Sequence, residues 1–180
     1  MTEEQLIKKL QLADGVITQL TDAMTRRVIA SAPQLRVISQ IAVGTDNIDV
    51  AAATEQKVAV TNTPGVLTEA TADLTFGLLL AAVRKIPQAQ EFLRAGQWQR
   101  WDVDLLCGGD VHGQTIGIIG MGRIGQAVAR RARGFSMRVL YASRNPAPVE
   151  LEQELSIIRV PLDALLRESD FISLHVPLTE

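Results

Sequence analysis

Three glycines in the segment GMGRIG give the most specific chemical signal in this sequence: Gly120, Gly122 and Gly125. They follow an apolar segment, 115–119, and precede a segment rich in Ala, Val and Arg, the strand-to-helix context that the G-x-G-x-x-G pattern requires. In such a loop the first glycine allows a tight turn, the second lets backbone approach a pyrophosphate, and the third lets the helix pack closely on the strand. The helix N-terminus, worth about half a positive charge, then faces the phosphates. The spacing therefore predicts a dinucleotide site; the alternative is a glycine loop with a purely structural role.

The end of the next predicted strand indicates which dinucleotide the loop would hold. An acidic residue about 20 positions on would bind a ribose 2′-hydroxyl, but the segment YASRNPAP has Ser143 and Arg144 there instead. A hydroxyl and a guanidinium suit a 2′-phosphate, which arginine can hold with two hydrogen bonds. The sequence therefore favours NADP(H), with NAD(H) as the alternative if Arg144 points into solvent. Inside the loop, Arg123 either lies over the pyrophosphate or is solvated.

The elements that would position these residues alternate between strands and helices in both halves of the chain, which predicts α/β architecture with parallel sheets covered on both faces. The predicted strands are 15–19, 35–42, 58–61, 115–119, 137–142, 156–160 and 170–175, and the predicted helices are 22–32, 47–55, 123–133 and 162–168. A further apolar helix is expected from an N-cap at Thr68 to Ile86, buried at a domain or subunit junction and ended by Pro87. In the connector that follows, Trp98 and Trp101 lie either against a neighbouring subunit or in local packing.

The composition excludes several classes of protein. The chain has 180 residues, 47% of them hydrophobic and 21% charged, which is typical of a globular protein. A net charge of −2 gives no reason to expect nucleic acid or a membrane surface as a partner. The single cysteine, Cys107, cannot form an internal disulfide, so we expect a cytoplasmic protein. One Cys and two distant His residues also predict no metal site.

Five segments in order resemble one family. They are AVGTDNIDV (42–50), TNTPGVLTEATADL (61–74), GIIGMGRIGQAVA (117–129), SRN (143–145) and SDFISLHVPLT (169–179). Together they resemble the D-2-hydroxyacid dehydrogenases, in particular the glyoxylate/hydroxypyruvate reductases. The resemblance implies a partial flavodoxin-like substrate domain (1–94), the first half of a Rossmann doubly wound parallel sheet (95–180), a cleft between the domains and a homodimer. It also implies hydride transfer between NADPH and a small 2-keto acid.

Residue roles follow from the same resemblance. The backbone N–H groups of Val43 and Gly44 would hold the substrate carboxylate. Asp46 and Asp49 would be turn and helix-start residues, and His112 a surface or packing residue. The positions that match the family's cofactor site are Thr71, near the nicotinamide half; Gly120, Gly122, Arg123, Ile124 and Gly125, at the pyrophosphate; Ser143, Arg144 and Asn145, at the 2′-phosphate; and His175, Val176 and Pro177, beside the adenosine.

The sequence departs from the family in one respect. The family's substrate-binding Arg and its Glu–His proton-donating pair would lie beyond Glu180, so no catalytic residue is assigned here. We expect a piece of a longer enzyme, cut at both ends and inactive alone. The alternatives are a non-catalytic nucleotide-binding module and a scaffold subunit completed by another chain. In the usual strand order 3-2-1-4-5, the fourth strand would be an exposed apolar edge, which predicts self-association.

Overall fold

The computed structural model describes residues 1–177, and its chain divides into two compact units, residues 1–66 and 67–180. Both are α/β with parallel sheets, as the sequence predicts. The division falls earlier than the boundary expected at 94/95, because the first helix of the second unit packs on a helix that follows the glycine loop. As a boundary between functional domains, 94/95 stays a prediction. No helix among residues 1–177 is long and apolar enough to cross a membrane.

The first unit is a three-stranded sheet in the order β1-β2-β3 with three helices. Its elements are α1 (Glu3–Leu10), β1 (Gly15–Thr18), α2 (Arg26–Ala30), β2 (Val37–Gln40), α3 (Val50–Glu55) and β3 (Ala59–Thr61). Gly15 pairs with Val37 and Val37 with Ala59, so the three strands start in line. The core is formed by buried aliphatic side chains from α1, α2, β2 and α3, including Leu6 and Ile38.

All three helices of the first unit differ from the prediction; α3 starts at Val50, after its N-cap Asp49, rather than at residue 47. Helix α1 was not predicted, although its N-terminus carries a capping box: the Thr2 hydroxyl accepts from the Gln5 amide, and the Gln5 side chain accepts from the Thr2 amide. Helix α2 is shorter than the predicted 22–32. It starts after Thr25, whose hydroxyl caps the helix, because Asp22 closes a turn with Gln19 instead.

The second unit is a four-stranded sheet in the order β6-β5-β4-β7, which is the predicted order 3-2-1-4 for its four strands. Its elements are α4 (Thr68–Val83), α5 (Ile86–Arg94), β4 (Thr115–Ile119), α6 (Arg123–Gly134), β5 (Arg138–Ala142), α7 (Val149–Leu155), β6 (Ile157–Arg159), α8 (Leu162–Glu168) and β7 (Phe171–Leu174). Helices α5 and α7 were not predicted; residues 88–94 of α5 were expected to belong to a connector. Within the described residues β7 is an edge strand, and its Leu174 side chain is 68% exposed. Helices α4 and α6 pack together, with the Phe76 and Phe135 rings stacked 5.2 Å apart.

The prediction for α4 was wrong in two respects. Thr68 is the first helical residue rather than the N-cap, which is Leu67 without a side-chain bond. The helix ends at Val83, and Pro87 lies in the first turn of α5, where a residue without an N–H is tolerated. Leu78 on this helix is 62% exposed in the described chain, and burial of the helix at a domain or subunit junction stays a prediction.

Candidate functional site

The glycine loop follows β4 and leads directly into α6. Gly120 has a φ of +97°, and a Cβ there would lie 2.3 Å from the carbonyl oxygen of His175. A Cβ on Gly125 would lie 2.2 Å from the carbonyl oxygen of Gly120. The turn and the close packing of α6 on the end of β4 therefore require glycine at both positions.

Gly122 is different, because the fold gives no reason for a glycine there. Its φ is −76°, which any residue adopts, and a Cβ would meet no described protein atom within 4 Å. Glycine at this position instead leaves the backbone open to a ligand.

The amide N–H groups around Gly122 are also unpaired. Within residues 1–177, the N–H groups of residues 121–125 have no protein acceptor. Helix α6 has no side-chain N-cap bond and no acidic residue in its first turn, and Arg123 is exposed there. A run of unpaired N–H groups at a helix N-terminus suits an anion such as a pyrophosphate. The residues present therefore fit the phosphates of a dinucleotide.

An open pocket of about 590 Å³, here called the strand-end pocket, lies at the carboxyl ends of β4, β5 and β6. Its lining residues are Ile119, Ala142, Ser143, Arg144, Arg159, Val160, Pro161, Leu162 and Val176. Three predicted cofactor residues, Ser143, Arg144 and Val176, meet here, whereas Asn145 and Pro177 do not line the pocket. Arg159 and the lining residues after it were not predicted from the sequence. The available signal for them was the end of the predicted strand 156–160, because ligands of such sheets bind beyond the carboxyl ends of the strands.

The segment after β5 is held in place by two side chains. The Arg159 guanidinium donates to the carbonyl oxygens of Ser143, at 3.0 Å, and Arg144, at 3.2 Å. The buried Tyr141 hydroxyl accepts from the Ala147 amide at 2.9 Å and donates to Glu152. Burial raises the pKa of Tyr141, and the hydrogen bond with Glu152 raises it further. The hydroxyl therefore stays protonated as a donor.

His175 continues the strand pairing of β7. Its amide donates to the carbonyl oxygen of Ile119 at 2.8 Å, and its ring Nε2 lies 2.8 Å from the Ser173 hydroxyl. Burial lowers the pKa of His175, so the ring is neutral at pH 7. Thr71 lies on α4, where its carbonyl accepts from the Thr75 hydroxyl; it does not line the strand-end pocket. The assignment of Thr71 to the nicotinamide half stays a prediction.

In the first unit, the loop with Val43 and Gly44 follows β2, and the carbonyl groups of residues 42–44 all accept hydrogen bonds. The Ala42 oxygen accepts from the Thr63 amide at 3.0 Å. The Val43 oxygen accepts from Asn62 Nδ2 at 2.8 Å, and the Gly44 oxygen from Gln40 Nε2 at 3.2 Å. The amide N–H groups of residues 43–45 have no acceptor among residues 1–177. The loop therefore offers donors for an anion.

Gln40 is the centre of a polar network under this loop, and sequence reasoning missed it. Its side chain is 2% exposed; it accepts from the Thr18 hydroxyl at 2.7 Å and donates to Asn47 Oδ1 at 2.7 Å. Asn47 in turn donates to the carbonyl oxygen of Asp22 at 2.7 Å. A polar residue at the end of an otherwise apolar strand was the available signal.

The remaining predicted residues lie where a structural role would place them. Asp49 caps α3 by accepting from the Ala52 amide at 2.8 Å, which confirms it as a helix-start residue. Asp46 lies in the turn after Gly44, and His112 is exposed.

A parallel sheet, a glycine loop that leads into an uncapped helix and a pocket at the strand ends define a nucleotide-binding α/β protein. A protein-family model, that of the D-isomer specific 2-hydroxyacid dehydrogenase NAD binding domain, matches residues 76–180, more than half of the chain. The chain therefore belongs to the D-isomer specific 2-hydroxyacid dehydrogenase family.

Similar proteins agree with this assignment. The chain is 50% identical to a glyoxylate reductase of Korarchaeum cryptofilum over 180 residues, covering 99% of this chain and 54% of that protein. It matches the crystal structure of the TT0316 protein from Thermus thermophilus with a TM-score of 0.94 and 45% identity, covering 99% of this chain and 56% of that one. It also matches the D-lactate dehydrogenase of Aquifex aeolicus, solved with NAD and lactic acid, with a TM-score of 0.85 and 29% identity, covering 96% of this chain and 51% of that one. The chain spans about half the length of the curated relatives it matches.

Proposed function

We propose that this chain binds the nicotinamide nucleotide and the substrate carboxylate of a reductase that acts on a small 2-keto acid such as glyoxylate or hydroxypyruvate. The observation that carries the proposal is the run of unpaired amide N–H groups at residues 121–125, around a glycine that the fold itself does not require. A nicotinamide cofactor, when bound, supplies the hydride. The chain's residues bind and orient: the amides at 121–125 hold the pyrophosphate, and those of Val43 and Gly44 hold the carboxylate.

NADP(H) is the proposed cofactor. Ser143 and Arg144 line the strand-end pocket, and no acidic residue among residues 1–177 does. A guanidinium there favours a 2′-phosphate, whereas a carboxylate would repel it.

We further propose that a polypeptide of these 180 residues binds the nucleotide without turnover, because the resemblance assigns the substrate-binding Arg and the Glu–His pair to positions outside this sequence. A positioned acid–base pair alone contributes about 10²–10⁴-fold to the rate. Steady oxidation of NADPH with glyoxylate by the purified polypeptide would contradict this. The proposed alternatives are a nucleotide-binding module and a scaffold subunit. If adding a chain that carries the missing residues restores turnover, the scaffold alternative is favoured.

The variant Gly122→Ala tests the nucleotide site. Because the new Cβ meets open space, the free energy of unfolding should fall by less than about 1 kcal/mol, as for a modest change at a helix N-cap. The Cβ would occupy the approach of the pyrophosphate, so the Kd for NADPH in calorimetric titration should rise at least about tenfold.

Gly134→Ala is the matched control. It also lies on α6 with open space around its missing Cβ, at the other end of the helix. We expect NADPH binding within about twofold of the unmodified chain. Equal Kd values for the Gly122→Ala and Gly134→Ala variants would overturn the proposed site.

Self-association, as a homodimer, is also proposed. Trp98 is 57% and Trp101 77% exposed, and Trp98 lines an apolar pocket with Phe92 and Leu105. Exposed tryptophans of this kind are enriched at protein interfaces. A monomer in sedimentation at micromolar concentration would count against it. The single cysteine, Cys107, is consistent with the proposed cytoplasmic location.

A further inference from the structure

Arg159 connects an edge strand to the segment that carries the proposed 2′-phosphate residues. It is the last residue of β6, which pairs with β5 on the side away from β4. Its Nη2 atom donates to two consecutive carbonyl oxygens, those of Ser143 and Arg144. One side chain therefore fixes the backbone of both residues.

The same guanidinium also lines the strand-end pocket, together with Arg144. Within residues 1–177, neither arginine forms a salt bridge with a carboxylate, whereas Arg131 and Arg138 in the same unit do. Two positive charges thus face one pocket without a neutralising acid. A bound dianion would relieve their repulsion, and a phosphate monoester has that charge.

We propose that Arg159 is a specificity-determining residue for a nucleotide with a 2′-phosphate. It acts in two ways: its hydrogen bonds to the carbonyl groups position Ser143 and Arg144 toward the pocket, and its charge raises the affinity for the phosphate. The proposal rests on the proposed function, because it needs a nucleotide in the strand-end pocket.

The test compares two ligands that differ only in the 2′-phosphate, 2′,5′-ADP and 5′-AMP, by calorimetric titration of the whole chain. The Arg159→Gln variant keeps a donor but loses the charge. It should weaken binding of 2′,5′-ADP about tenfold or more, as expected for a hydrogen bond to a charged group, and change that of 5′-AMP by less than about twofold. The Arg159→Lys variant keeps the charge and should recover part of the preference.

Arg167→Gln is the control, since it removes the same charge from the last turn of α8 in the same unit. It should leave the ratio of the two Kd values unchanged. Both Kd values are measured on the same variant, so a general loss of stability would change both of them and leave their ratio unaffected.

Each outcome separates the two proposals. If the unmodified chain binds neither nucleotide, the proposed function fails. If it prefers 2′,5′-ADP and Arg159→Gln keeps that preference, or weakens both ligands equally, the inference about Arg159 is overturned while the proposed function stands.

Discussion

Replacing Gln40 with methionine would test how the loop of Val43 and Gly44 is held. Gln40 is the last residue of β2 and is almost fully buried. Methionine has a similar length and volume but cannot form its hydrogen bonds, so the substitution removes polar contacts with little change in packing. The experiment therefore isolates the polar network.

The expected loss can be worked out from the partners of Gln40. The substitution leaves three groups without it: the Thr18 hydroxyl, Asn47 Oδ1 and the Gly44 carbonyl. A buried group left unpaired costs about 1–3 kcal/mol. Thr18 is 1% exposed and should bear that cost in full, whereas Gly44 and Asn47 are half-buried and reach water. We therefore expect the free energy of unfolding of the first unit to fall by about 2–4 kcal/mol.

The assay must separate the two compact units, because a chain of two units need not unfold in one step. Amide hydrogen exchange followed by NMR gives local opening free energies for β1–β3 and for β4–β7 separately. We expect the loss in the first sheet only. The affinity for 2′,5′-ADP should stay within about twofold, since the glycine loop and the strand-end pocket lie in the second unit.

Gln11→Met is the matched control, since Gln11 is an exposed residue directly after α1 in the same unit. It should change the opening free energies by less than about 0.5 kcal/mol. If Gln40→Met is no more destabilising than this control, the network does not stabilise the loop and the reasoning is refuted.

Two further predictions concern the second unit. Tyr141→Phe removes the acceptor of the Ala147 amide, so we expect a loss of about 1–3 kcal/mol in the opening free energies of β4–β7; a loss below about 0.5 kcal/mol would contradict the role of the hydroxyl. Burial lowers the pKa of His175, so as the pH falls this side chain is protonated in the unfolded chain before it is protonated in the folded chain. The free energy of unfolding should therefore fall as the pH drops below about 6.5. Urea midpoints at pH 7 and pH 5 measure this fall, which should be smaller in a His175→Gln variant; an unchanged fall would assign it to other groups.

Much of the second sheet could be predicted from the sequence. Strand β4 and helix α8 have the predicted bounds, and the order of the four strands is also as predicted. Short apolar runs and the rule for crossover connections suffice there, because the sheet is regular. Besides the helices that were missed, one error concerns the single residue taken to end a helix. Pro87 was interpreted as ending a helix, but a proline also fits the first turn of the next one, and only tertiary packing decides between the two.

The candidate site also has a part that could be predicted from the sequence and a part that could not. The glycine loop is a local pattern in which the spacing itself encodes the turn, so it could be predicted. Arg159 and Gln40 could not, since each acts on backbone that neighbouring strands or loops bring near it. The predicted strand order already pairs β6 with β5, but nothing in the sequence around Arg159 indicates that its guanidinium reaches the carbonyl of Ser143.

In the loop of the first unit, such side chains orient the N–H groups that are proposed to bind an anion. In a planar trans peptide the carbonyl and the N–H of the next residue point in opposite directions. The Ala42, Val43 and Gly44 carbonyls are held by protein donors, so the N–H groups of residues 43–45 each point away from those donors. Asn62 and Gln40 therefore orient the donors of this loop without touching an anion. Because the oriented N–H groups are fixed before an anion arrives, little ordering remains to oppose binding.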